Sequence, residues 1–381
     1  MSRLPVELPG RGAQAPPAAP RSPGRALASD RLGMVVIPAM GAPLLEVQGL
    51  RTSIYLDEGV VRAVNGVSFT VDRGQTMAIV GESGSGKSVL AQSIMRILPS
   101  RARIEAGRIL FSREGGGPVD LTALAADGRQ MRAIRGGAIS MIFQEPMTAF
   151  SPVHTIGNQI GEVVRLHRQF GRAQARAATI EALDAVGFPE PARKVDAYPF
   201  ELSGGLRQRA MIAMALVCRP ALVIADEPTS ALDVTVQAQI LDLLVRLQRE
   251  YGMGLIIITH DPGVVAHVAD FVTVMYCGHV METGPVGELF ADPQHPYLQA
   301  LLRSTPQFGV TEGERLQTIP GTVPDPLLPI PGCPFLSRCP EGEPALCGDA
   351  MPAPRVLGDH RQVACYKRGS LPELLTAPAG A

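Results

Sequence analysis

The stretch "TMAIVGESGSGKSVLAQSIMRIL", residues 76 to 98, decides the fold. Five apolar or β-branched residues of strand length run into a glycine- and serine-rich turn, and the turn runs into an apolar helical segment. Gly81, Glu82, Ser83, Gly84, Ser85, Gly86, Lys87 and Ser88 fit G-x-x-x-x-G-K-[ST] in the strand, loop, helix context that gives this motif its meaning. Glycines let successive backbone N–H groups turn toward phosphate oxygens, and the helix N-terminus adds partial positive charge. Lys87 is expected to reach the β and γ phosphates of a nucleotide, Ser88 to offer a hydroxyl to Mg²⁺, and Val89 to open the helix beside them.

Outward from this loop, short β-branched runs alternate with helical segments. "GVSFTV", "AISMIF", "LVIAD", "LIIIT" and "FVTVMY" have strand length, while "AQILDLLVRLQREYG" repeats apolar residues at helical spacing. Such alternation predicts an α/β domain around a largely parallel sheet. Between about 145 and 205 the text is mainly helical, with "TIGNQIGEVVRLHRQF" and "RAQARAATIEALDAVG", and reads as an inserted helical subdomain.

Two further elements carry chemistry. In "LVIADEPTSALD", residues 222 to 233, a buried strand ends in Asp226 and Glu227, so two carboxylates emerge at the strand end where open α/β sheets bind ligands. Asp226 is expected to hold Mg²⁺ through water, and Glu227 to act as general base on the attacking water. In "LSGGLRQR", residues 202 to 209, Ser203 is a helix-cap residue and Gly204 with Gly205 leaves backbone amides bare at a helix N-terminus. That is a second anion site in one chain. Both sites reach one phosphate group if two chains meet head to tail.

Composition narrows the remaining choices. The 381 residues carry 35 Lys and Arg against 36 Asp and Glu, so no overall basic field draws the chain to nucleic acid or anionic lipid. No apolar run approaches the roughly 18 to 20 residues of a spanning helix. Residues 1–42 are rich in Pro, Ala, Gly and Arg, lack the apolar core of a secretory signal, and read as a disordered extension. Without a signal, the six cysteines are expected to be reduced.

These motifs, in this order over roughly residues 43 to 290, resemble the ATP-binding subunits of ABC transporters. The resemblance implies a RecA-like core with an N-terminal antiparallel β subdomain and an inserted helical subdomain, together a nucleotide-binding domain over 43–303. It implies further roles: Gln144 in "MIFQEP" as the glutamine that touches Mg²⁺ and water, His260 after "LIIIT" as the residue meeting the γ-phosphate, and Asp233 in the loop facing the partner subunit. Tyr55, the aromatic in "TSIYLDEGVVRAVNGVSF", is expected to stack on the adenine of ATP.

The flanking text "VMYCGHVMETG", "DPQHPYLQALL", "IPGTVPDP" and "GCPFLSRC" is similar to the ATPases of oligopeptide and dipeptide importers, a subfamily shared with nickel uptake. That implies ATP hydrolysis at a composite interface, driving import. It also implies a second, homologous ATPase in a heterodimer, two integral membrane permease subunits and an extracytoplasmic substrate-binding protein. The chain would then sit at the cytoplasmic face of the membrane. ABC ATPases that act in translation or DNA repair are the rival class; they usually carry two nucleotide domains or a long coiled-coil or zinc insertion, which this sequence lacks.

Residues 304–381 form a small Cys- and Pro-rich C-terminal region. Cys333, Cys339, Cys347 and Cys365 are spaced C-x5-C-x7-C-x17-C, which fits the short knuckles of zinc sites poorly. Four thiolates suffice for a [4Fe–4S] cluster, which subfamily members with such a tail carry; zinc and four independent small hydrophobes are the alternatives. Arg338 and Lys367 stand near the sulfurs in sequence as candidate donors. Cys218 and Cys277 lie in apolar helix and strand patterns and read as packing residues.

Overall fold

The computed structural model describes residues 42–113, 115–145, 149–230, 232–305 and 318–369. Most of the expected extension over 1–42 therefore lies outside the described residues. Twelve strands form two sheets among them. β1 (Leu45–Leu56), β2 (Gly59–Val71), β4 (Ala102–Ser112) and β5 (Pro118–Asp120) make an antiparallel sheet in the order β2-β1-β4-β5. The second sheet uses β3 (Thr76–Val80), β6 (Ile139–Ile142), β7 (Leu222–Asp226), β8 (Gly254–Thr259), β9 (Phe271–Tyr276), β10 (His279–Pro285), β11 (Arg355–Gly358) and β12 (Arg361–Val363). Its order is β11-β12-β10-β9-β3-β8-β7-β6, parallel from β9 to β6 and antiparallel from β9 outward to β11.

The central strands explain the unbroken apolar runs. Every residue of β3, β7 and β8 is buried, as expected where helices cover both faces of a parallel sheet. The run "GVSFTV" is a strand too, but it belongs to β2 of the antiparallel sheet. One buried cluster joins the two sheets through Leu45, Phe69, Phe111, Ile79 and Ile256.

The helical segment packs as a unit against the other face. Helices Ile156–Arg168 and Arg172–Ala185 bury Ile156, Ile160, Val164 and Leu183 in the cluster that also holds Met211, Ile212, Leu216 and Ile240. The boundary near 205 expected from the sequence falls inside a continuous helix, Gly204–Leu216, so this packing unit extends to residue 216.

The C-terminal region shares its core with the large sheet. Phe335 is fully buried, with ring centroids 5.5 Å from Tyr276 and 5.3 Å from Tyr297. β12 pairs with β10, extending the sheet that begins at the phosphate loop. At that edge Arg361 donates to the buried Glu282 carboxylate, which also accepts the backbone N–H groups of Gln294 and His295.

Candidate functional site

The loop after β3 is shaped by close backbone approach. A Cβ on Gly81 would lie 2.1 Å from the carbonyl oxygen of Met275, and one on Gly86 would lie 1.9 Å from that of Ala63. Gly86 also stands at φ +99°, a conformation that side chains rarely adopt. Only glycine fits either position. From helix Lys87–Met95, the buried Lys87 ammonium folds back into the loop, donating to the carbonyls of Gly81 (2.7 Å) and Glu82 (2.9 Å) and to Ser85 Oγ (3.2 Å). Burial lowers its pKa, while Glu227, Asp226 and Glu82 oppose that shift.

Asp226 ends β7 as a buried carboxylate, 5% exposed. Burial raises its pKa, and a hydrogen bond from Ser88 works in the opposite direction. Among the described residues its Oδ1 has no hydrogen-bond partner. A buried carboxylate oxygen left open beside a serine hydroxyl and a lysine suits a hard, oxygen-seeking cation, and Mg²⁺ with its phosphate ligands meets that need. Ser88 and Asp226 are the residues that would hold it.

The three residues expected to take part in hydrolysis, Gln144, Glu227 and His260, lie together. Gln144 Nε2 donates to Glu227 Oε2 at 2.9 Å, and His260 Nδ1 lies 3.1 Å from Glu227 Oε1. Glu227 adopts φ +45°, an uncommon backbone for a side-chain-bearing residue, and concentrated strain of this kind occurs at functional sites. Loop residues Ser83, Gly84, Gly86, Lys87, Ser88 and Val89 border one cavity with Gln144 and Glu227; its volume is about 560 Å³, within the roughly 300–1,000 Å³ range of small-molecule sites.

Ser203, Gly204 and Gly205 are not among that cavity's walls. Ser203 caps helix Gly204–Leu216 by accepting from Leu206 N, and the space beyond Gly204 is open. Asp233 likewise caps helix Val234–Tyr251, accepting from Val236 N at 3.0 Å. The buried Gln208 connects the first of these helices to the catalytic loop through the Pro228 carbonyl. The helix N-terminus expected as a second anion site thus does not border this chain's own phosphate-loop cavity.

Tyr55 departs from its expected place. Its hydroxyl donates to Glu105, Arg103 lies over its ring at 5.5 Å, and it is absent from the cavity walls; Ile54 and Val61 are present there instead. Neighbouring residues of a strand point to opposite faces, so a one-residue difference turns the aromatic away. Cys277, expected as a packing residue within a strand, sits just past β9 at φ +45° and lines the cavity. Burial pushes its thiol up to about 11. Cys218 is part-buried against the helical cluster, as packing alone requires.

The tail contributes contacts that no local pattern announced. Arg338, set beside Cys339, does not turn to the sulfurs. Its guanidinium grips Glu82 of the phosphate loop at 2.6 and 3.2 Å, and it also donates to Tyr276 Oη and the Pro320 carbonyl. The Glu82 N–H donates to the hydroxyl of Tyr297. Lys367 pairs with Glu343 at 2.6 Å.

Cys333, Cys339, Cys347 and Cys365 all line a second, smaller cavity, together with the buried His295, and all four are free thiols. Burial pushes the Cys333 thiol up to about 12, with the other three thiols acting in the same direction. The donor set suits a four-thiolate group in number. Among the described residues, however, no three His, Cys, Asp or Glu groups stand ready to hold a metal ion.

Comparison with known proteins places these features in context. A family model described as "ABC transporter" matches residues 64–230, and one described as "Oligopeptide/dipeptide transporter, C-terminal region" matches 281–347. A putative peptide import ATP-binding protein of Brucella ovis is 51% identical over 332 residues, covering 85% of this chain and 97% of the relative. The dipeptide transport ATP-binding protein DppD of Bacillus subtilis is 48% identical, covering 85% of this chain and 94% of its own. The solved structure of cbiO1 from Clostridium perfringens, part of the ABC transporter complex cbiONQ, has a TM-score of 0.55 at 30% identity. It covers 66% of this chain and 92% of that one.

Proposed function

The chain belongs to the ATP-binding subunits of peptide-importing ABC transporters, and we propose that its hydrolytic site is completed by a partner chain docked head to tail. It binds and hydrolyses ATP, and that hydrolysis is coupled to peptide import. The single observation that carries the mechanism is the meeting of Gln144, Glu227 and His260 beside the phosphate loop.

Lys87 and the loop amides hold the β and γ phosphates, and Glu227 accepts the proton of the attacking water. Gln144 and His260 fix the orientation of that carboxylate. Ser88, Asp226 and Gln144 would hold Mg²⁺, which would neutralise charge at the phosphates. The partner's counterparts of Ser203, Gly204, Gly205 and Asp233 close over the same nucleotide, as these residues of the present chain do for the partner. That partner is a homologous but distinct ATPase. Two permease subunits carry the pair at the cytoplasmic face of the membrane, and an extracytoplasmic protein delivers the peptide. No helix of the described residues is long and apolar enough to cross a membrane.

The test is reconstitution of the chain with its permeases, partner ATPase and binding protein in proteoliposomes, with labelled dipeptide outside. ATP-driven uptake is expected, and Lys87→Ala is expected to lower it by about a hundredfold or more. Co-purification with ribosomes or DNA in place of permeases would overturn the importer reading.

The thiol cavity belongs to the same proposal as a [4Fe–4S] site held by Cys333, Cys339, Cys347 and Cys365. Support comes from the convergence of four free thiols on one cavity. Its role is structural or regulatory, because hydrolysis needs no electron transfer. Protein purified without oxygen is expected to be brown, with about four iron and four acid-labile sulfide per chain. A colourless preparation holding zinc would replace the cluster with a zinc site, and one holding neither metal would leave the thiols as packing residues.

A further inference from the structure

Glu82 puts a carboxylate into a loop built to receive phosphates. An anion at that place opposes a polyphosphate unless a cation cancels it. Its charge is felt at the loop's own lysine, since Glu82 is one of the three carboxylates that oppose the lowering of the Lys87 pKa by burial. The cation that meets Glu82 comes from the C-terminal region. Arg338 sets Nη1 2.6 Å from one carboxylate oxygen and Nη2 3.2 Å from the other, a two-pronged pairing in which the arginine side chain is only 4% exposed. Among the described residues it is the one basic side chain paired with Glu82.

The arginine is itself held in place. It closes the short turn Leu336–Arg338, which follows the fully buried Phe335. Nη1 also donates to Tyr276 Oη at 3.1 Å and Nε donates to the Pro320 carbonyl at 2.9 Å, while the guanidinium lies over the Tyr276 and Phe335 rings at 5.8 and 5.9 Å. The same aromatic cluster reaches the loop backbone. Tyr297, in helix Pro296–Arg303, packs on Tyr276 with ring centres 4.6 Å apart and accepts the Glu82 N–H at 2.8 Å. The Glu82 carbonyl accepts from Lys87 at 2.9 Å. One loop residue is thus fixed at its carboxylate, its N–H and its carbonyl. Neither Glu82 nor Arg338 borders the nucleotide cavity, so their pairing acts on the site through the loop and not by contact with a nucleotide.

We propose that Arg338 is a positioning residue of the nucleotide site, which cancels the charge of Glu82 and braces the phosphate loop from the C-terminal region. The inference rests on the reading of the chain as an ATP-binding subunit. It gives the C-terminal region a part in setting how tightly the loop holds phosphates.

The test is titration of MgATP into the full-length chain and three variants at low salt and at about 1 M salt, where charges are screened beyond about 3 Å, with the thermal midpoint of each recorded. At low salt Arg338→Gln is expected to bind MgATP about tenfold more weakly, the order of one unpaired charge acting across a part-solvated site. Glu82→Gln keeps an acceptor for the guanidinium but leaves its charge unmatched, and is expected to bind more tightly than wild type. The double variant is expected to return close to wild-type affinity, and high salt to shrink the differences among all four proteins. A role in folding alone cannot give this pattern of opposite signs. Wild-type affinity in Arg338→Gln, a loss that persists in the double variant and at high salt, or weaker binding by Glu82→Gln would each overturn the proposal. Should Arg338→Gln fail to fold, the sign of the Glu82→Gln change decides alone. A folded wild-type chain that binds neither MgATP nor magnesium tripolyphosphate would sink the ATP reading itself, which separates that failure from failure of the brace.

Discussion

Glu227→Gln is expected to lower ATP turnover in the assembled transporter by about two to four orders of magnitude while leaving ATP binding and closure of the ATPase pair intact. The substitution keeps the shape of the side chain and an acceptor oxygen, so Gln144 at 2.9 Å and His260 at 3.1 Å still have a partner. What it removes is a group able to take a proton from water. Lys87 and the loop amides are untouched, so the phosphates remain held. Steady-state hydrolysis by the assembled complex, together with nucleotide titration, checks both halves of the expectation. Undiminished hydrolysis would remove Glu227 from the role of base, and loss of binding would make it a nucleotide ligand instead.

That this carboxylate could be found from the sequence reflects how local its signals are. A strand that ends in charged residues, or a strand that runs into glycines and a lysine, defines its own chemistry within about ten residues. All six short apolar runs expected as strands are strands, and β3, β6, β7 and β8 are buried throughout, which favours apolar sequence. β4 gave no such signal. Its "ARIEAGRILFS" interleaves Arg103, Glu105 and Arg108 with buried residues, as suits a strand covered on one side only.

What escaped was set by long-range packing. Tyr55 and Ile54 differ by one position along β1, and only the registered pairing with β2 decides which of them faces the cavity. The segment over 323–330 has proline-broken text with no period, so nothing in it discloses that it lines the cavity of a loop more than two hundred residues earlier. Arg338 stood beside Cys339 and invited a thiol role, yet its partner Glu82 is 256 residues away. The six strand runs and the phosphate loop are local statements; these three contacts exist only once the sheet is built.

The largest stability effect is expected at the other point where the C-terminal region grips that sheet. Arg361→Met should cost about 3–5 kcal/mol, because it strands a charge rather than merely deleting a contact. Glu282 in β10 is fully buried, and among the described residues the only cation touching its carboxylate is Arg361, through Nη2 at 2.7 Å and Nε at 3.2 Å. The N–H groups of Gln294 and His295 would remain as donors to it, at 3.1 and 2.7 Å, and they cannot neutralise it. The expected fall in thermal midpoint is on the order of 10 °C, read by calorimetry or by urea titration. Glu282→Gln introduced alongside Arg361→Met should recover a large part of the loss, since a neutral amide still accepts from the two backbone groups without a buried charge. Recovery of this kind distinguishes a stranded charge from lost packing, which the second substitution would not repair. A single variant as stable as wild type would mean that β12 and its hairpin contribute little to the sheet. Loss of the pair is also expected to reach the nucleotide site, because β10 pairs with β9, and the Met275 carbonyl in β9 is the one that presses on Gly81.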